Sequence, residues 1–147
     1  QILIGLSAEA LGIMATLNTL TVDYSKTRQQ FGSPIGSFQV LQHRMVDTFM
    51  ACEQTKSMLY RGLCESKSVD EGETDAHALS KTVHALKATV ARYGKTIGEE
   101  AIQLHGGIGM TDELNVGHYV KRLMMINTTF GDADFHQKKF NQLSYSV

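Results

Sequence analysis

Apolar residues open the chain in alternating steps of three and four: Leu3, Leu6, Ala10, Ile13, Leu17 and Leu20. That spacing draws one apolar stripe along an α-helix. Thr27 to Ser37 interrupts it with Gly32, Pro34 and Gly36, a loop signature. A second stripe follows at Phe38, Leu41, Met45, Phe49, Cys52, Leu59 and Leu63, with Ser37 placed to cap its start. Ser66–Thr74 is polar, contains Gly72 and reads as a connection. The third stripe, Leu79, Val83, Leu86, Val90, Tyr93, Ile97 and Leu104, predicts a helix from Thr74 to Leu104, ~45 Å long at 1.5 Å per residue. Glycines at 106, 107 and 109 end it. Val116, Tyr119, Val120, Leu123 and Met124 predict a shorter fourth helix, and Gly131 separates it from a terminal one carrying Phe135, Phe140 and Leu143. No stretch alternates apolar and polar residues long enough to read as a strand. The pattern predicts an all-α fold, an up-and-down four-helix bundle with a short additional C-terminal helix.

Composition narrows the function classes. The chain has 147 residues and one proline, so a single domain over residues 1–147 is expected. A formal net charge of −1 argues against nucleic-acid binding, which needs a surplus of Lys and Arg on one face. No uninterrupted apolar run approaches the ~18 residues of a membrane span, and no secretory signal is visible. Two cysteines, Cys52 and Cys64, cannot build a disulfide framework; both fall in the second helix and read as buried packing residues of a reducing, cytoplasmic protein. Because it opens at Gln1 in mid-pattern, the chain reads as a piece of a longer one.

Familiar catalytic and metal motifs do not account for it. Bundle di-metal sites use Glu-x-x-His pairs, and none occurs here. His77 and His84 share a face without accompanying carboxylates, so no metal is expected. HExxH, GxSxG and P-loop patterns are also missing.

Two segments carry candidate chemistry. The first, Tyr24 to Gln39, sets Arg28, Phe31 and Gln39 around the Gly- and Pro-containing turn. Arginine offers a planar fork of donors suited to phosphate, and an aromatic ring offers a stacking face. Arg28 could equally serve the negative end of the first helix. The second, Ala101 to Met110, holds Gln103 and the three glycines, where a ligand can approach the backbone closely. A glycine helix end explains Gly106 equally well.

Together, in this order and at this separation, the segments resemble the C-terminal helical domain of flavin-dependent acyl-CoA dehydrogenases. The R-x-x-F-G pattern with a Gln eight residues beyond the Phe is present as Arg28, Phe31, Gly32 and Gln39, and Q-x-x-G-G-x-G as Gln103, Gly106, Gly107 and Gly109. The resemblance runs over essentially the whole chain. It implies an FAD-dependent α,β-desaturation of an acyl-CoA thioester, an electron-transfer flavoprotein-like acceptor, and a homo- or hetero-tetramer with FAD at a subunit interface. It also implies two further domains preceding this one. By the same resemblance Arg28 meets the pyrophosphate, Phe31 packs near the flavin or its linker, Gln39 belongs to the same set, and Gln103, Gly106 and Gly107 line the adenosine side.

The family's catalytic carboxylate is where this sequence departs. Many members carry it in a Glu-Gly-Thr motif, which here falls on Phe130, followed by Gly131. A minority carry it on the first helix, at the position of Ile2. Three alternatives stand. Asp132 or Asp134 could act from a shifted position; this could be a non-catalytic subunit or assembly domain paired with a catalytic one; or the base could come from elsewhere in a longer chain. The run Phe130 to Asp134 and the phrase Gln103 to Thr111 resemble the bacterial branch of the pimeloyl-CoA dehydrogenase small subunit and the two-gene sterol side-chain dehydrogenases, which favours pairing. Asp132 also reads as the N-cap of the last helix.

Overall fold

The computed structural model describes residues 1–111 and 113–145. Five helices dominate it: α1 (Ile2–Thr27), α2 (Gln39–Asp70), α3 (Ala76–His105), α4 (Val116–Thr128) and α5 (Ala133–Tyr145). The all-α bundle with a short terminal helix is therefore as the periodicity predicts. The four long elements do not form a square. α3 packs against every other helix, and α1 lies along it about as closely as α2 does. α2 and α4 flank this central pair, and α5 lies along α3.

Small residues set how closely the helices approach. A Cβ on Gly94 would stand 3.1 Å from Met14 Cε, and one on Gly98 would stand 3.4 Å from Val120 Cγ1. Both glycines are thus spent on seating α1 and α4 against α3, around a core that includes Met14, Leu17, Leu86, Val90, Ile97 and Ile126.

The buried faces depart from the predicted stripes in two places. On α1, Ser7, Thr21 and Ser25 are buried while Leu3, Leu6 and Leu20 are only half-buried. Each hydroxyl donates to a carbonyl of its own helix: Ser7 to Leu3 at 2.7 Å, Thr21 to Leu17 at 2.8 Å and Ser25 to Val22 at 2.7 Å. A hydroxyl hidden in this way can occupy a close helix contact without an orphaned polar atom. On α2, the buried face is Thr48, Ala51, Cys52, Thr55, Leu59 and Gly62. Phe49 (58% exposed) and Leu63 (47%) point outward, as do Val40, Val46, Met50 and Tyr60. Cys64 is exposed, correcting its expected burial, whereas Cys52 is buried as expected.

Element ends also shifted. Ser66–Asp70 continues α2 instead of leaving it, and only 71–75 form the connection. Ion pairs one turn apart support that polar end, Arg61–Glu65 at 2.9 Å and Lys67–Glu71 at 3.6 Å. Ser37 does not cap α2; its hydroxyl donates to the Pro34 carbonyl at 2.7 Å. α3 begins at an Asp75 cap, whose carboxylate accepts the Ala78 N–H at 2.7 Å. α1 is long and apolar enough, by length and mean hydropathy (1.4), to cross a membrane, although charged and hydroxyl residues interrupt the run. Here it is a bundle helix, tied to α4 by the paired Arg122–Glu9 contact at 2.6 and 2.8 Å.

Candidate functional site

α1 ends at Arg28, whose N–H donates to Tyr24 O at 2.8 Å and whose carbonyl accepts the Ile35 N–H at 2.8 Å. Between these two anchors the chain makes a small antiparallel hairpin, β1 (Gln29–Gln30) with β2 (Ser33–Pro34), the one strand pair among the described residues. Its turn residues Phe31 and Gly32 both have positive φ, 54° and 79°, which matches the twist of a two-residue hairpin. Glycine adopts this freely, but phenylalanine does so at a cost of about 1–2 kcal/mol. The Phe31 ring gains no burial in return: it is 93% exposed and meets Phe38 edge-on at 6.3 Å. Gly36 fixes the hairpin to α1, since a Cβ there would stand 2.8 Å from Ser25 Oγ.

α3 ends against this hairpin. Gly106 has φ 65°, and its N–H closes back on Gln103 and Ile102. A 3-10 turn, Gly106–Met110, follows directly. The three glycines have different reasons to be there. Gly106 needs its positive φ. Gly109 needs its missing side chain, because a Cβ would meet His105 Cβ at 2.9 Å and Ile102 O at 3.1 Å. Gly107 has neither need: its φ is ordinary and a Cβ would meet nothing within 4 Å. What a side chain at 107 would fill is the space outside the protein.

That space is an open cleft of about 370 Å³ lined by Tyr24, Arg28, Gln30 and Ile35 on one side and Gln103–Ile108 on the other. The fold thus brings together Arg28, Gln103, Gly106 and Gly107 from the two sequence segments. Phe31 stands out from the hairpin tip and Gln39 starts α2 on the surface, and neither lines the cleft. Among the described residues no carboxylate lines it or pairs with Arg28, so its one fixed charge is positive. A planar cation, a side-chain amide and a glycine-opened backbone suit an anionic, planar group such as a nucleotide phosphate with its base.

Sequence reasoning passed over the floor of this cleft. His105 is buried, stacks on Tyr24 at 4.5 Å, and places Nδ1 2.8 Å from the Ala101 carbonyl. A carbonyl only accepts, so Nδ1 carries the proton and the ring is locked in one orientation. The signal for it was a histidine one turn beyond Ala101 on the buried face.

The second candidate locus is the α4–α5 turn, about 24 Å further along α3 from the Gln103 end. Phe130 (φ 62°) is 61% exposed and Gly131 has φ 112°. The Asp132 carboxylate accepts the Phe135 N–H at 2.8 Å, capping α5, and Asp134 sits exposed in that helix's first turn. Beneath them lies a cluster the sequence did not reveal. Lys87 is fully buried, and its Nζ donates to Asn127 O at 3.1 Å and Gly131 O at 2.9 Å. Burial pushes its pKa down, and the nearby Asp132 charge opposes that. His136 is also buried; its Nε2 lies 3.2 Å from Phe130 O and its Nδ1 2.7 Å from His84 Nδ1. Burial, then the neighbouring His84 and Lys87, push the His136 imidazole down to about 4. His84 is lowered as well, by burial and by Lys139. His84 thus pairs with His136 across α3 and α5, while His77 is exposed.

Residues 4–139 match the model of the acyl-CoA dehydrogenase C-terminal domain. The acyl-CoA dehydrogenase IpdE2 of Mycolicibacterium smegmatis is 34% identical over 80% of this chain and 34% of its own length. The L-prolyl peptidyl-carrier-protein dehydrogenase of Serratia sp. is 32% identical over 90% of the chain and 33% of its own. Among solved structures, PigA with FAD and proline superposes with a TM-score of 0.84 at 29% identity, covering 96% of this chain and 35% of that one. The chain therefore spans about a third of the length of the curated relatives it matches. The bundle, the two motif segments and the family match agree: the chain belongs to the acyl-CoA dehydrogenase family, in the region of its C-terminal domain.

Proposed function

We propose that this domain helps bind FAD in an oxidoreductase that desaturates an acyl-CoA thioester between its α and β carbons. One observation carries the reading. The cleft joins Arg28 to the Gln103–Gly107 turn, and among the described residues nothing lies within 4 Å of where a Gly107 side chain would begin. Arg28 binds the pyrophosphate, and Gln103 with the Gly106–Gly107 backbone lines the adenosine side. Phe31, strained and exposed, packs on the cofactor or the neighbouring subunit, with Gln39 beside the same segment. FAD, when bound, supplies the hydride acceptor, and an electron-transfer flavoprotein-like acceptor takes the electrons onward. PigA, solved with FAD, supports the cofactor, and the name of IpdE2 supports the substrate class. The outward apolar residues of α2 support a subunit interface, since exposed apolar surface of this extent marks association sites. Two free thiols fit a reducing, cytoplasmic setting.

The carboxylate that removes the α-proton comes from outside this domain, from a paired subunit or another part of a longer chain. Position 130 holds Phe, Ile2 is apolar and exposed, and the Asp132 carboxylate is engaged by the Phe135 N–H. Asp134 is exposed two residues further on, in the first turn of α5.

The test uses the complete chain purified with its natural partners. It should carry flavin absorbance that bleaches anaerobically on addition of acyl-CoA. Arg28→Ala should cut bound FAD at least tenfold without unfolding the bundle. A colourless protein that takes up no FAD sinks the reading. Asp132→Asn keeps the cap, because Asn also accepts at that position; turnover should persist, and its loss would make Asp132 the base.

A further inference from the structure

The turn at residues 130–132 is held by donors that the cleft at Arg28 does not use. Two consecutive residues with positive φ, Phe130 and Gly131, follow the end of α4, where Met125 O accepts the Thr129 N–H at 3.0 Å and Thr128 O accepts the Gly131 N–H at 3.3 Å. Lys87 donates from the core side to two part-buried carbonyls of this stretch, Asn127 and Gly131. A lysine at the carboxyl end of a helix also sits favourably in its dipole.

The Phe130 carbonyl is taken by His136, and the chemistry of that contact fixes the whole pair. The carbonyl can only accept, so His136 Nε2 carries a proton and donates. In the neutral ring Nδ1 is then bare and accepts. His84 Nδ1, 2.7 Å away, must be the donor. The order is therefore His84 to His136 to Phe130, with α3 at one end and the turn at the other. An apolar core would hold α5 as well; a directed chain of hydrogen bonds sets the backbone of one residue.

We propose that Lys87 and the His84–His136 pair are positioning residues that hold Phe130 outward in its left-handed conformation, as a fixed wall of the acyl-binding site. This rests on the proposed desaturase function for what Phe130 touches, but the locking of the turn stands without it. From α3, Lys87 holds the Asn127 and Gly131 carbonyls that bracket Phe130, and His84 acts on the Phe130 carbonyl through His136 of α5; by the resemblance, position 130 is where many members of the family carry the base.

Hydrogen exchange on the complete chain tests the lock. Lys87→Met keeps the length and removes the donors. Amides over 129–136 should exchange at least tenfold faster, with α1 and α2 unchanged. Unchanged exchange over 129–136, or equal acceleration throughout, overturns the proposal. Should Lys87→Met fail to fold, the half-buried His84 gives a milder pair. His84→Leu should loosen the turn, and His84→Asn, which returns an N–H near Nδ1, should restore it; if both behave alike, the ordered chain of donors is wrong. In the active assembly, Lys87→Met should raise the KM for acyl-CoA at least fivefold, with kcat within twofold and FAD content intact. A fall in kcat at constant KM would deny Phe130 the role of a wall. A wild-type protein whose flavin no acyl-CoA reduces would fail the proposed function alone, leaving the exchange result to decide the lock.

Discussion

At the scale of single residues, adjacent glycines separate structural from functional demand. Gly109 is excluded from carrying a side chain by His105 and Ile102, whereas Gly107 faces open space. Gly109→Ala should destabilise the domain by about 1–3 kcal/mol, the usual range for overpacking. Gly107→Leu should leave stability within about 0.5 kcal/mol, as for surface changes, and still lower retained FAD severalfold because the side chain occupies the cleft. Thermal unfolding and flavin content, measured on both variants of the complete chain, check the contrast; equal loss of FAD with unchanged stability in both would refute it. Arg28 belongs with Gly107: among the described residues no carboxylate pairs with the Arg28 guanidinium, and a Cβ at 107 would meet nothing within 4 Å. Phe31 is the third such residue, exposed and strained in a hairpin that asks for Asn or Gly.

At the scale of elements, five helices follow from apolar spacing, and their order was legible because the one proline and the four glycines with positive φ, Gly32, Gly72, Gly106 and Gly131, fall between them. The faces were less legible. Pattern reading sends large apolar side chains inward, yet α1 and α2 approach their neighbours through Ser7, Thr21, Thr55 and Gly62 and leave Phe49 and Leu63 outside. Hydroxyls that bond their own helix look polar in sequence and behave as small spacers in the fold. Of the site, the motif residues were legible because their chemistry is local. Lys87, His84 and His136 were not, because their partners are carbonyls and rings brought close from 40 to 52 positions away. Charged residues in a helical sequence read as solvated faces until the fold shows otherwise. The helix ends show the same division. Asp75, and not a residue of the preceding polar run, starts α3. Asp75→Ala should cost about 1 kcal/mol and speed amide exchange confined to the first turn of α3; exchange spreading along the helix would mean that the cap governs more than the end.

At the scale of the whole molecule, α5 is attached unlike the other helices. Its one buried side chain is His136, and the rest of its seat is polar or half-exposed: Arg92 to Gln137 at 3.2 Å and Lys81 over Phe140 at 5.3 Å. The stability of the assembly of α3, turn and α5 is therefore tied to the protonation of one imidazole. The groups facing it are His84 and Lys87 of α3, Asp132 of the turn and, beyond His84, Lys139 of α5 itself. His136 titrates at about 4 in the folded protein and near 6.5 when unfolded. Between those values the unfolded chain holds a proton that the folded chain does not, so stability must fall as pH falls. The contribution is complete above about pH 6.5 and is reduced by about 3 kcal/mol at pH 4. Protonation at His136 Nδ1 would also set two N–H groups against each other in the present tautomer, and the pair would hold only with the His84 proton moved to Nε2 and the donor order reversed; a proton on His84 goes to the outer nitrogen and leaves the pair intact. Acid should accordingly release α5 and the turn before the α1–α3 core. Urea unfolding from pH 7.5 to 4, compared between wild type and His136→Gln, should show the wild type losing up to about 3 kcal/mol more across that window. Parallel curves would mean that the imidazole titrates at the same pH folded and unfolded, so that its burial beside His84 and Lys87 does not hold it neutral.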